Sequence, residues 1–147
     1  MGEIGGNDYN YAFMQGMSLD KTRTLVPSHR CDPMVIEHGA TMIVVPGDLP
    51  LGCLPVYLVI VKSPNTKDYN DLTGCLNWLN EFLEYHNGLL RMELDRLQQL
   101  HPEAHIVYVD YYGITMRFYC SPNEFGTSSS PPPPPWPCKE HRCSRIT

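Results

Sequence analysis

Leu72, Leu76, Leu79, Leu83, Leu90, Leu94 and Leu97 recur at steps of three and four, apart from a gap at His86. That spacing predicts one apolar face of a long helix over residues 71–100. Asp71 or Thr73 is placed to cap its start, and His101-Pro102 ends it, because proline cannot continue a helix. Gly88 inside it costs about 1 kcal/mol relative to Ala and is expected to mark a bend or a close contact. Upstream, "TMIVVP" at residues 41–46 is an apolar, β-branched run that stops at Pro46-Gly47, the pattern of a buried strand meeting a loop. "HIVYVDYY" from His105 predicts a second strand. Strand, helix, strand over residues 41–112 is the parallel βαβ unit, which places the chain in the α/β class with function expected at the carboxyl ends of the strands. "GEIGGND" then reads as the end of an earlier strand, followed by a short helix near Tyr9 to Met17. The loop "GDLPLGCLP" between the first strand and the helix is stiffened by Pro50 and Pro55.

A chain of 147 residues, 42% of them hydrophobic, can bury one core. One domain is therefore expected over residues 1–126. After "SPNEFG" the composition changes to "TSSSPPPPPWPCKEHRCSRIT", and this Ser/Pro-rich stretch, residues 127–147, is expected to be a polyproline segment and a disordered tail. With 11 basic and 16 acidic residues the net charge is -5, which argues against nucleic acid or an anionic membrane surface as a partner. The most apolar stretch, "LGCLPVYLVIVK", is too short to span a bilayer as a helix, so no membrane span is expected. Residues 1–20 lack a basic start followed by an apolar run, so no signal peptide is read and the chain as written is expected to be cytoplasmic. Six cysteines suit an oxidising compartment instead. The conflict hints that the chain is part of something longer.

Taken alone, "GGND" is a turn, since Gly and Asn tolerate the left-handed backbone region. His29 follows Ser28 directly, a poor geometry for a base and a nucleophile, and reads as a surface loop. His86 lies near the apolar face of the long helix and reads as a half-buried packing residue, while His101 suits the negative end of the helix dipole. Cys138, His141 and Cys143 are three crowded ligand types without a partner site, so neither a metal nor a cofactor is expected. "PPPPPW" has the form of a weak ligand for an aromatic-grooved binding module.

In order along the chain, "GEIGGNDYNYAF", "HGATMIVVPGDLPLGCLPVYL", "TGCLNWLNEFLEYHNGLLRMELDRLQQLHPEAHIVYVDYYG" and "SPNEFG" resemble the plant GDSL-type esterase/lipase family, a branch of the SGNH hydrolases. The resemblance covers most of residues 1–126. It implies a flavodoxin-like α/β/α sandwich with a parallel sheet, here incomplete, in a secreted family that hydrolyses small carboxylic esters through a Ser nucleophile, a His base and an Asp partner. Of the four motifs the family carries, the third is present as Gly5, Gly6, Asn7 and Asp8. The resemblance makes Asn7 an oxyanion-hole donor, supported by Gly5, Gly6 and Asp8. That residue type suits the task, because a neutral amide can donate to a developing oxyanion where a carboxylate cannot.

The same comparison with the family pattern exposes departures. "GDL" at Gly47 to Leu49 carries leucine where a nucleophilic serine would be needed, and no Asp stands three residues before a His. The chain is thus expected to be a family sequence truncated at both ends and inactive by itself. The family fold implies a disulfide between Cys53 and Cys75, the alternative being two unpaired buried thiols. In "TLVPSHRCDPMVIEHGA" the family runs a longer helix that Pro33 would break, which should uncover one apolar face of the sheet. The rival reading is a non-catalytic interaction protein that uses the remaining core and the proline-rich tail.

Overall fold

The computed structural model describes residues 6–24, 26 and 34–126. Helix α1 runs Gly6–Met14, α2 Leu19–Arg23 and α3 Met34–Glu37. Strand β1 follows at Met42–Pro46, then α4 at Pro55–Ile60, α5 at Asn77–Leu100, β2 at His105–Val109 and α6 at Tyr111–Cys120. Short 3-10 turns lie at Leu51–Cys53, Thr66–Asp68 and Pro122–Phe125. Helices combine with a parallel two-stranded sheet, an α/β arrangement among the described residues. They fall into two compact units, one of residues 6–24, 26, 34–49 and 82–111, the other of residues 50–81 and 112–126.

The first unit is built on β1 and β2, paired from Met42 opposite His105 to Pro46 opposite Val109. Alternate residues of a strand face opposite sides. Ile43 and Val45 therefore turn inward onto Leu90 and Leu94 of α5, with Ile36 of α3 and Ala104 closing the cluster. The other side leaves Met42, Val44 and Val107 exposed. Gln98 fixes the start of β2: its Nε2 donates to the Ala104 carbonyl at 2.7 Å, and its Oε1 accepts from the Ile106 amide at 2.9 Å. Along α1, Tyr9, Ala12 and Phe13 are buried, and the Tyr9 and Phe13 rings meet Phe82 edge-on at 4.9 and 5.5 Å.

In the second unit Cys53 and Cys75 form a disulfide across a sequence separation of 22. Closing a loop of that length stabilises by about 3 kcal/mol, chiefly by restricting the unfolded chain. Around it, the Leu76 amide donates to the Gly52 carbonyl at 2.9 Å and the Gly52 amide donates to Asn80 Oδ1 at 2.9 Å. A Cβ at residue 52 would overlap the Leu76 carbonyl oxygen, so glycine is required there.

The long leucine-faced helix is present, with Leu76 buried just before it and Leu79, Leu83, Leu90, Leu94 and Leu97 buried along it. Its start is later than expected. Asn70 Oδ1 accepts from the Leu72 and Thr73 amides at 3.0 Å each, Gly74 takes φ +70°, and Leu76 bridges to Tyr69, so residues 70–76 form a turn. Nor does β2 reach Tyr112: it ends at Val109, and the aromatic run opens α6 behind Asp110, a residue type that favours helix starts. The short helix expected near Tyr9 to Met17 begins three residues earlier, and α4 forms in an apolar stretch whose pattern predicts no element, with Pro55 in its first turn. Residues 2–5 of the expected first strand, Pro33 and residues 127–147 lie outside the described residues.

Gly88 makes no close contact: a Cβ added there meets nothing within 4 Å. Gly88→Ala is therefore expected to raise stability by about 0.5–1 kcal/mol through helix propensity alone. A urea midpoint at or below that of the parent chain would contradict this.

Candidate functional site

The first turn of α1 holds Gly6, Asn7 and Asp8, with Gly6 buried and the two polar side chains exposed. Unpaired amides and the aligned peptide dipoles make such a turn electropositive, which favours an anion and the Asp8 carboxylate alike. Asn7 Oδ1 accepts a long 3.5 Å hydrogen bond from Asn10 Nδ2. Its Nδ2, the donor end, is the end that Asn10 does not engage. Gly5 lies outside the described residues.

Beneath this exposed turn is a buried polar chain. Tyr9 Oη lies 2.7 Å from His86 Nδ1, and His86 Nε2 lies 3.6 Å from Asp48 Oδ2. Tyr9 and Asp48 are 0% exposed and His86 5%. Burial, aided by the nearby Asp48 and Asp8 charges, pushes the Tyr9 phenol well above its ordinary pKa, so it keeps its proton. Asp48 is held by its backbone: its amide donates to Asn87 Oδ1 at 2.8 Å, and Asn87 Nδ2 donates to its carbonyl at 3.0 Å.

Asp48 and Asp110 follow the carboxyl ends of β1 and β2, where α/β proteins place their chemistry. Gly47 extends the ladder, its amide donating to the Val109 carbonyl at 2.9 Å, and a Cβ there would overlap the Tyr108 hydroxyl. Arg91 pairs with Asp110 at 3.2 Å and lies over the Tyr108 ring, 4.3 Å from its centroid. The neighbouring Tyr108 hydroxyl and Asp110 raise the Arg91 pKa above its ordinary value.

Of the residues singled out in the sequence, Gly6, Asn7 and Asp8 share one turn, and Cys53 and Cys75 are bonded to each other in the second unit. His86 corrects an expectation: it is buried and within hydrogen-bond distance of Tyr9 rather than half-buried packing. Its signal was the gap in the leucine ladder, a polar residue at a position that the helix turns inward. Asp48, the centre of "GDL", is buried more completely still. Among the described residues no group of three or more His, Cys, Asp or Glu side chains is gathered to hold a metal, and no helix is long and apolar enough to cross a membrane. Ser28, His29, Cys138, His141, Cys143 and the proline run lie outside the described residues.

The chain is similar to two GDSL esterase/lipases of Arabidopsis thaliana, 45% identical over 137 residues and 41% over 136. It is 40% identical over 136 residues to a sinapine esterase of Brassica napus. Each match covers 89% of this chain but only 34% or 35% of the relative, so the chain spans about a third of the length of the relatives it matches. No family model and no solved structure matches it.

Proposed function

We propose, for a chain that is a relative of the plant GDSL esterase/lipases, that it carries the oxyanion-stabilising segment of an ester hydrolase. The observation that carries this reading is the exposed Asn7 in the electropositive first turn of α1, anchored from below by buried Tyr9. Attack on an ester carbonyl moves charge onto its oxygen, and the Asn7 Nδ2 group donates to that charge as it develops. A neutral amide does so without needing to change protonation state. The parallel pair β1 and β2 with α5 is the central piece of a flavodoxin-like α/β/α sandwich, which sets the strand ends toward the substrate. Small esters are the substrates, in keeping with the ester named for the Brassica relative. The Cys53–Cys75 disulfide favours an oxidising compartment over the cytoplasm.

The 147 residues contain neither a Gly-Asp-Ser nor an Asp-x-x-His motif, so the nucleophile and the base are not among them. The chain by itself is expected to resist labelling by a fluorophosphonate probe and to leave a short-chain aryl ester intact. Joined in one polypeptide to the segments that flank the matching region in an Arabidopsis relative, it is expected to take the label and turn the ester over. Labelling of the chain alone, or a folded, oxidised chimera that stays inert, would overturn the proposal.

A further inference from the structure

The geometry points to the buried chain Tyr9–His86–Asp48 as a positioning device that fixes the rotation of α1 and with it the outward placement of Asn7. The inference rests on the proposed role of Asn7 for its functional meaning, but not for its physical content.

The three groups come from three separate places: Tyr9 from α1, His86 from the middle of α5, and Asp48 from the loop after β1. Burying polar groups is costly unless they meet one another, so the 2.7 Å contact of Tyr9 with His86 is a strong geometric constraint, and the 3.6 Å approach of His86 to Asp48 a looser, charge-based one. The edge-on rings of Tyr9, Phe13 and Phe82 add apolar attraction with a broad preference of orientation. The hydrogen bond is the sharper constraint, since it weakens steeply away from its preferred direction. Tyr9 Oη and His86 Nδ1 lie within hydrogen-bond distance at 2.7 Å, and the other ring nitrogen, Nε2, faces Asp48 Oδ2 at 3.6 Å. Asp48 cannot drift, because Asn87, the next residue on α5, holds its amide and its carbonyl together. Three links thus run from the β1 loop through α5 to α1.

The effect on Asn7 follows from helix geometry. Residues two apart on an α-helix point about 200° away from each other. Pinning Tyr9 inward therefore turns Asn7 outward, where it is found. Gly6 and Asp8 share that turn, and the Asp8 charge is close enough to act on Tyr9. Tyr9, His86 and Asp48 are positioning residues here, since none of them need touch a substrate.

The test uses the oxidised 147-residue chain with no ester present. Tyr9→Phe keeps the ring against Phe82 and removes only the hydroxyl. His86→Asn sets an amide where Nδ1 stood, within reach of Tyr9; His86→Gln reaches instead toward the Nε2 position. Two signals are read: hydrogen-exchange protection of amides in α1 against those in β1 and β2, and the side-chain amide resonances of Asn7. With Tyr9→Phe, protection in α1 is expected to fall about tenfold while β1 and β2 hold theirs, and the Asn7 resonances shift. With Tyr9 in place, His86→Asn should keep both signals close to those of the parent chain, and His86→Gln should not. Unchanged α1 protection and Asn7 resonances in Tyr9→Phe would overturn the inference, as would His86→Asn and His86→Gln behaving alike. If the His86 variants lose protection in β1 and β2 as well, Tyr9→Phe decides alone. The two readings fail separately. Loss of turnover by the chimera on Asn7→Ala, together with unmoved Tyr9→Phe signals, would remove the anchor and keep the esterase reading; the reverse pattern would do the opposite.

Discussion

Phe82→Ala is expected to destabilise the chain by about 3–5 kcal/mol, a large share of the 5–15 kcal/mol that holds a typical domain folded. Phe82 is 0% exposed, and the Tyr9 and Phe13 rings stand at 89° and 90° to it. Removing the ring deletes apolar contact on both, and a cavity remains because helices carrying two aromatic neighbours cannot collapse into it. Phe82→Leu keeps most of the volume and should cost about 1–1.5 kcal/mol. Urea unfolding of the oxidised chain, followed by far-ultraviolet circular dichroism, measures both changes. A Phe82→Ala loss below about 1 kcal/mol would mean that α1 does not depend on this packing, and would undercut the placement of Asn7 as well.

What the sequence made legible is what periodicity can carry. The leucine ladder located α5, because a helix that buries one face must repeat its apolar residues every three or four positions. The two β-branched runs located β1 and β2 for the corresponding reason in strands. The beginning of α5 was hidden because Leu72 and Leu76 continue the period through residues 70–76, while Asn70, Gly74 and the disulfide shape that segment into a turn. Helix α6 was hidden because its described residues bury nothing, so no inward stripe marks it. Asn7 was found through the family motif that surrounds it. The Tyr9–His86–Asp48 chain was not, since contacts across sequence separations of 77 and 38 leave no local pattern. Only the missing leucine at position 86 betrayed it.

In the chimera that supplies a nucleophile and a base, Asn7→Ala is expected to lower kcat about 100- to 1000-fold, with KM changed far less. The split follows from where the charge is. The ground-state ester oxygen is nearly neutral and gains little from the donor, whereas the tetrahedral intermediate carries a full charge on that oxygen. Asn7→Asp should be at least as damaging, because a carboxylate has no proton to donate and repels the oxyanion in the same place. The electropositive turn of α1 remains in both variants, so its contribution is separated from that of the amide: rate left in Asn7→Ala but lost in Asn7→Asp measures the repulsion set against the helix field. Steady-state hydrolysis of a short-chain aryl ester provides the numbers, with fluorophosphonate labelling confirming that the nucleophile is intact in each variant. Equal kcat in the parent chimera and in Asn7→Ala would place the oxyanion donors elsewhere and leave the first turn of α1 a structural cap.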